Sequence, residues 1–319
     1  MKQSIPVVDL NDFRSGKPEL ESAFVAKLGN ALEEFGFVAI ENHGVSPEIL
    51  ERGYAQSKAL FALDETTKLR YEHPEDGCQR GYTSMGREHA KGQTQGDVKE
   101  FWHVGPELSP HHPLYNRVRK NIWADELNGF KREMLELWNS LNECGRNIMT
   151  ALARYLETDE GEFSTMIDGG DTILRSIRYP GPDEVVPEPG AVWAAAHEDI
   201  NLITLLPSSK EAGLELLQKD GTWMPIQPIP GQLICDTGDM FERLTNGRFP
   251  STTHRVLAPQ HADGPRYSMP FFIHPHPDYL LAPLDSCISD EAPRQWENVT
   301  AAEFLRIRLL EIGVLDEDA

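Results

Sequence analysis

The spacing of apolar residues along this chain changes character near Thr172, from a recurrence every three or four positions to short apolar runs broken by Gly, Pro and Asn-Gly. The first spacing keeps one helix face apolar, and the second suits strands joined by tight turns. In the helical half, Leu20, Phe24, Leu28, Leu32 and Phe35 share a stripe that ends at Gly36, a suitable C-cap. Ser46-Pro47 supplies an N-cap and a first-turn proline for another helix. A longer stripe from Leu127 through Leu141 to Tyr155 predicts an amphipathic helix with its apolar face in the core.

Strands are predicted inside and beyond this half. Residues 5–10, IPVVDL, suit a short edge strand because Pro6 removes a ladder donor, and residues 37–40 a strand closed by Asn42-His43-Gly44. Beyond Thr172, strands are predicted over 174–179, 202–206, 214–217, 232–235, 255–257 and 268–273. Helix returns at the end, where Thr300 and Glu303 form a capping box. Residues 80–104 are polar, glycine-bearing and weakly periodic, which predicts loop or irregular strand. Residues 180–190, PGPDEVVPEPG, come nearest to a linker.

On this mixed helix and strand background, one constellation carries chemistry. His197 and Asp199 stand two apart, and His254 follows fifty-five residues after Asp199. Two imidazoles and one carboxylate on one face of an ion are the ligand set of non-haem Fe(II) oxygen chemistry, because several coordination positions stay open. Residues i and i+2 reach one ion only if the segment is extended or just leaving a strand. His254 must then arrive from a distant strand, as an antiparallel jelly roll arranges. With eleven histidines in the chain a lone His-x-Asp arises easily by chance. The pattern sharpens with Arg266 and Ser268, twelve and fourteen residues beyond His254, a fork and a hydroxyl suited to gripping one carboxylate. His43, beside a glycine turn, and the His274/His276 pair, flanked by prolines, read as structural.

Composition narrows the partners. A net charge of −21 and a pI near 4.9 oppose phosphate backbones and acidic membrane surfaces, so a small-molecule substrate is expected, with no nucleic acid and no membrane. No targeting segment or long apolar run is seen, and a cytoplasmic location is expected. Cys78, Cys144, Cys235 and Cys287 lie far apart and read as buried or free thiols. At 319 residues the length admits about two domains, with ample core.

Several motifs in register resemble one family. IPVVDL, EEFGFVAIENHGV, RGY, DVKEFW, IRYP, HEDINLITLLP, GLELLQKDGTWMPI, GDMFERLTNGRFPSTTHRV and RYSMPFF follow the order seen in iron and 2-oxoglutarate-dependent oxygenases of the isopenicillin N synthase-like superfamily. The resemblance implies a mainly β fold with helices (α+β), a double-stranded β-helix or distorted jelly roll buttressed by N-terminal and C-terminal helices. It implies an N-terminal region over residues 1–110 and the oxygenase domain over 111–319, integrated as one unit. It also implies that His197, Asp199 and His254 bind Fe(II), while Arg266, Ser268 and Tyr179 hold the distal carboxylate of 2-oxoglutarate. The implied reaction couples oxidative decarboxylation of 2-oxoglutarate, with O2, to hydroxylation, desaturation or ring closure of a small molecule, with ascorbate as a candidate reductant.

Two departures bear on this. Ile177 stands where many plant members carry Asn, and Asp236 stands before Thr-Gly-Asp where Asn is common; Asp236 reads as a supporting carboxylate and not a ligand. IRYP also occurs in isopenicillin N synthase itself, which uses no 2-oxoglutarate, so a 2-oxoglutarate-independent oxidase of the same fold is the alternative reading. A non-catalytic metal-binding module or a zinc hydrolase is a third, disfavoured because neither needs the Arg266/Ser268 clamp. On the substrate side, Arg87, Glu88 and Lys99 fall in the polar stretch expected to cover the site, one of them a candidate partner for a charged substrate. Phe271, alternating with Met269, is a candidate for the pocket wall. The substrate, the reaction outcome and the oligomeric state are not legible.

Overall fold

The computed structural model describes residues 4–88, 97–181, 184, 192–207, 213–227, 229–257, 264–312 and 315. Its first part runs β1 (Val7–Asp9), α1 (Leu10–Phe13), α2 (Pro18–Phe35), β2 (Phe37–Glu41), α3 (Pro47–Phe61), α4 (Glu65–Leu69), β3 (Gly81–Thr83) and β4 (Glu100–Val104). Helices α5 (Phe130–Tyr155) and α6 (Glu160–Ile167) precede β5 (Ile173–Tyr179), β6 (Val192–His197), β7 (Ile203–Pro207), β8 (Leu214–Leu217), β9 (Trp223–Pro225) and β10 (Leu233–Thr237). The chain continues with α7 (Asp239–Leu244), β11 (His254–Leu257), β12 (Arg266–Ser268), β13 (Phe271–Ile273), β14 (Leu280–Leu281), β15 (Val299–Thr300) and α8 (Ala301–Glu311).

The helix ends follow local chemistry. Gly36 closes α2 in the left-handed region at φ 66°, its N–H donating to Leu32 O. The Ser46 and Thr300 side chains accept from Ile49 N and Glu303 N at the starts of α3 and α8.

Strands from both halves of the chain make one sheet of nine, in the order β1-β2-β10-β7-β13-β5-β4-β3 with β12 also paired to β5. A second sheet has the order β6-β11-β8-β9. Alternation along each strand decides what each face meets. Phe37, Ala39 and Ile234 pack with Leu216 and Met224 of the second sheet, whereas Val38, Ile40, Leu233 and Cys235 join the core under the helices. The large sheet is therefore covered by the second sheet on one face and by helices including α2 and α5 on the other, a jelly-roll sandwich. All four cysteines are buried free thiols. Among the described residues no helix is long and apolar enough to cross a membrane.

The structure departs from the sequence pattern in three places. Residues 100–104, inside the stretch expected to be loop or irregular strand, form β4, buried throughout. Its Glu100 is matched by Lys68 Nζ at 2.6 Å, Tyr82 Oη at 2.6 Å and Arg178 Nη1 at 3.0 Å, so a charged residue stays inside the sheet. The expected strand 268–273 is broken into β12 and β13 at Met269-Pro270, where proline has no N–H for the ladder. Finally, β9, β14 and β15 had no predicted counterpart, and β6 was foreseen only as the extended segment that the His197 and Asp199 spacing requires. Most of the linker-like 180–190 stretch lies outside the described residues.

Candidate active site

His197 ends β6 and His254 begins β11, and the two are directly paired across the antiparallel ladder. Their ring centroids are 4.4 Å apart. Asp199, two residues past His197, brings Oδ1 within 3.8 Å of His197 Nε2 and 3.7 Å of His254 Nε2. One donor atom from each of the three lies within 4.8 Å of the other two. The spacing argument is thus realised in space: the His-x-Asp pair sits where a strand ends, and the second His comes from its neighbour.

Both rings are oriented for metal. His197 Nδ1 lies 2.7 Å from Ala195 O, and His254 Nδ1 lies 3.2 Å from Thr252 O. A carbonyl oxygen only accepts, so each Nδ1 carries the proton and each Nε2 keeps its lone pair toward Asp199. Burial and the adjacent His254 push the His197 imidazole down to about 4, so it is neutral at neutral pH. Burial alone would raise Asp199, but His254 and His197 outweigh it and hold the carboxyl below its ordinary value.

Asp199 is itself held. Thr204 Oγ1 donates to its Oδ2, and Asn201 Nδ2 donates to Thr204 Oγ1 at 3.2 Å. Burial and the Asp199 charge push the Asp236 carboxyl far above the usual range, so Asp236 keeps a proton that it shares with Asp199. Asp236 thus lies against Asp199, the carboxylate of the triad. On the backbone side, Asp239 N donates to Asp199 O at 2.8 Å, and a Cβ at Gly238 would stand 2.8 Å from that same oxygen. Thr204→Val removes the hydroxyl without changing the shape. We expect it to weaken iron affinity by about ten- to a hundredfold, read by competition with a metal chelator.

The three residues expected to form the clamp share one patch. Arg266 and Ser268 are buried on β12, directly opposite Tyr179 and Ile177 of β5. The Arg266 guanidinium lies 5.2 Å from the centroid of the Tyr179 ring. The intervening Tyr267 points the other way, toward Phe61 of α3, so Arg266 and Ser268 face the space between the sheets. That space is apolar here, with Phe101, Ile177, Tyr179, Ala194 and Val256 in one cluster.

A cavity of about 320 Å³ opens beside the triad, with His197 and Asp199 in its wall. His254, Arg266, Ser268 and Tyr179 stand off that wall. Of the expected substrate-side residues, Glu88 and Lys99 line it, Lys99 buried and Glu88 largely so, joined by a 3.4 Å ion pair. Arg87 does not; its Nε pairs with Glu72 at 3.3 Å. Phe271 turns into the core against Trp138, at 5.5 Å between centroids, and Phe272 takes the cavity position in its place. The alternation runs on unbroken through Pro270: Phe272 keeps the parity of Arg266 and Ser268, and Phe271 that of Tyr267 and Met269, which face the helix-covered core. His43 is a buried structural residue with Nε2 3.1 Å from Gly231 O. His274 lines the cavity but belongs to no metal-sized cluster with His276 among the described residues.

Sequence reasoning missed Arg175, His103 and Asp97 in the cavity wall, and Leu305, Arg308, Leu309 and Ile312 at the C-terminal end. Arg175 left a signal, since it shares strand parity with Ile173, Ile177 and Tyr179 on a face that is otherwise uncharged. For the α8 residues no local signal exists, because what the helix covers depends on how the chain returns.

Two family models match the chain, "non-haem dioxygenase in morphine synthesis N-terminal" over residues 5–126 and "2OG-Fe(II) oxygenase superfamily" over residues 171–275. A 2OG-Fe(II) oxygenase family protein from Caulobacter crescentus is 37% identical with a TM-score of 0.86, covering 98% of this chain and 100% of that one. The chain belongs to the 2OG-Fe(II) oxygenase superfamily. Kihadalactone A synthase LFS of Citrus sinensis is 30% identical over 97% of this chain and 94% of its own. A full-length Neurospora crassa protein, solved in complex with alpha-KG and thymine, is 27% identical with a TM-score of 0.83, covering 96% of both chains. This oxygenase is accordingly an enzyme that uses Fe(II), 2-oxoglutarate and dioxygen. The oxidase and hydrolase alternatives give way to that reading.

Proposed function

We propose that His197, Asp199 and His254 hold the ferrous ion, that Arg266, Ser268 and Tyr179 hold the distal carboxylate of 2-oxoglutarate, and that the cavity receives a small organic substrate for hydroxylation. The observation that carries this is the cross-strand pairing of His197 with His254, with Asp199 within 3.8 Å of both Nε2 atoms. The donor set fits the metal, because two imidazoles and one carboxylate converge and, among the described residues, no fourth His, Cys, Asp or Glu joins them. With 2-oxoglutarate and dioxygen, the bound iron supplies the oxidising power that splits the cosubstrate into succinate and CO2 and oxidises a substrate C–H bond.

The chain's own residues arrange that chemistry. Thr204 and Asp236 fix the Asp199 carboxylate, and the Ala195 and Thr252 carbonyls fix the imidazoles. Arg266 presents a planar fork in a buried, apolar setting, where a charge-assisted bond to a carboxylate is stronger than in water. Phe101, Ile177, Tyr179, Ala194 and Val256 keep water from that end. The Neurospora crassa protein, bound to thymine, shows a small-molecule ligand on this fold, and the cavity here is of small-molecule size.

Anaerobic titration of 2-oxoglutarate into the Fe(II)-loaded protein tests the assignment. A metal-to-ligand absorption band is expected on addition, and Ser268→Ala should shift its midpoint upward by about fivefold through loss of one hydrogen bond. Absence of both the band and substrate-coupled CO2 release would overturn the reading.

A further inference from the structure

The cavity-facing side of the large sheet carries a charge arrangement that iron and cosubstrate binding leave unused. Lys99, Phe101 and His103 face it from β4 and the residue before it, Ile173 and Arg175 from β5, and Phe272 and His274 from β13 and the residue after it. Arg175 Nη1 donates to both Glu88 oxygens at 3.1 and 3.3 Å. Lys99 Nζ donates to Asp97 at 2.8 Å and lies 3.4 Å from Glu88. Burial would raise Glu88, yet Arg175 and Lys99 hold its carboxyl well below the ordinary range. Two cations and two carboxylates therefore cancel inside the wall. The remaining cation, Arg308, is paired with Asp239 at 2.9 Å and Glu311 at 2.6 Å. No lysine or arginine among the described cavity residues is left to neutralise a substrate anion.

What remains is directional hydrogen bonding. Arg175 donates Nε–H to His103 Nε2 at 2.7 Å and Nη1 to Glu88, while Nη2 has no hydrogen-bond partner among the described residues. His274 Nδ1 lies 3.2 Å from Phe272 O, which fixes its proton there and leaves Nε2 as an acceptor. Phe272 is paired with Ile173 across the ladder. Arg175 and His274 consequently flank that pair on opposite sides, roughly 13 Å apart along the backbone at about 3.3 Å per residue. Two long side chains and one small ring span such a distance.

We infer that this face recognises the prime substrate of the oxygenase reading above, and that it selects a neutral ring compound with a carbonyl at one end and an N–H at the other. The carbonyl accepts from Arg175 Nη2, the N–H donates to His274 Nε2, and the ring lies on Phe272. A carboxylate at the same place meets Glu88 with no cation to spare among the described residues, so acids of the same size are rejected. Arg175 and His274 are specificity-determining residues, and Glu88 and His103 position Arg175.

Ligand-observed NMR of 4-pyridone, N-methyl-4-pyridone and benzoate tests this, using the full chain loaded anaerobically with Fe(II) and 2-oxoglutarate. We expect 4-pyridone to bind and benzoate not to. The N-methyl compound, lacking the N–H, should bind about fivefold more weakly than 4-pyridone. Arg175→Lys, which keeps the charge opposite Glu88 but not the fork, should weaken 4-pyridone about tenfold or more. His274→Leu should weaken 4-pyridone about fivefold and leave the N-methyl compound unchanged, and it tests the site even if the Arg175 variant fails to fold. Benzoate binding as tightly as 4-pyridone, no binding of 4-pyridone, or indifference to His274→Leu overturns the inference. The 2-oxoglutarate absorption band recorded on the same samples separates the two readings: an intact band with the wrong probe pattern sinks this one alone.

Discussion

His254→Ala abolishes turnover, a fall of at least about a thousandfold, because an open metal site has no spare protein ligand. The same holds for His197→Ala and Asp199→Ala. His254 is buried at the start of β11, where its ring meets His197 and Phe37, and the larger apolar core, under the helices, lies on the other face of the large sheet. The variant should therefore keep its circular dichroism spectrum and a cooperative melt while losing stoichiometric iron. Asp199→Ala carries a further consequence, since removing that charge relieves the nearby Asp236. Near-normal turnover with iron bound in any of the three variants would show that the triad is not the metal site.

Arg266→Lys raises the apparent constant for 2-oxoglutarate by about ten- to a hundredfold and leaves iron affinity unchanged. The substitution keeps the positive charge but loses the planar two-pronged fork, and a charge-assisted hydrogen bond is worth about 1.5–3 kcal/mol. Arg266 is held on β12 opposite Tyr179, on the inner face of the large sheet and off the cavity wall that carries His197 and Asp199. Separate titrations of iron and 2-oxoglutarate check both halves of the expectation. Loss of iron affinity with 2-oxoglutarate affinity intact would place the clamp elsewhere and make Arg266 a support of the metal shell.

Much of this site was legible along the chain because its parts are short-range patterns. The His-x-Asp pair needs only a strand end, and Arg266 and Ser268 need only strand parity; both devices depend on alternation two residues apart. The motifs in series added the family, and with it Tyr179, which nothing in its own surroundings singles out. The substrate wall was harder to see. Glu88 and Lys99 stood in a polar stretch that resembled solvated loop, and their burial depends on Arg175, which is 76 residues beyond Lys99. Phe271 was assigned to the pocket with Met269, but the inward parity of this segment is that of Arg266 and Ser268, which falls on Phe272.

The sequence by itself determined the helix limits at Gly36, Ser46 and Thr300, the period-two faces of the strands, and the residue types of the proposed ligands and clamp, since caps, pleats and donor chemistry are properties of a few neighbouring residues. Only the tertiary structure decided that His254 lies opposite His197 and that Glu100 is buried among Lys68, Tyr82 and Arg178. It also decided that the cavity's cations and carboxylates cancel, with α8 closing one side. Those outcomes depend on which distant strands become neighbours. Pairing across the sheet is set by the burial of whole faces at once, and no window of the sequence contains both partners.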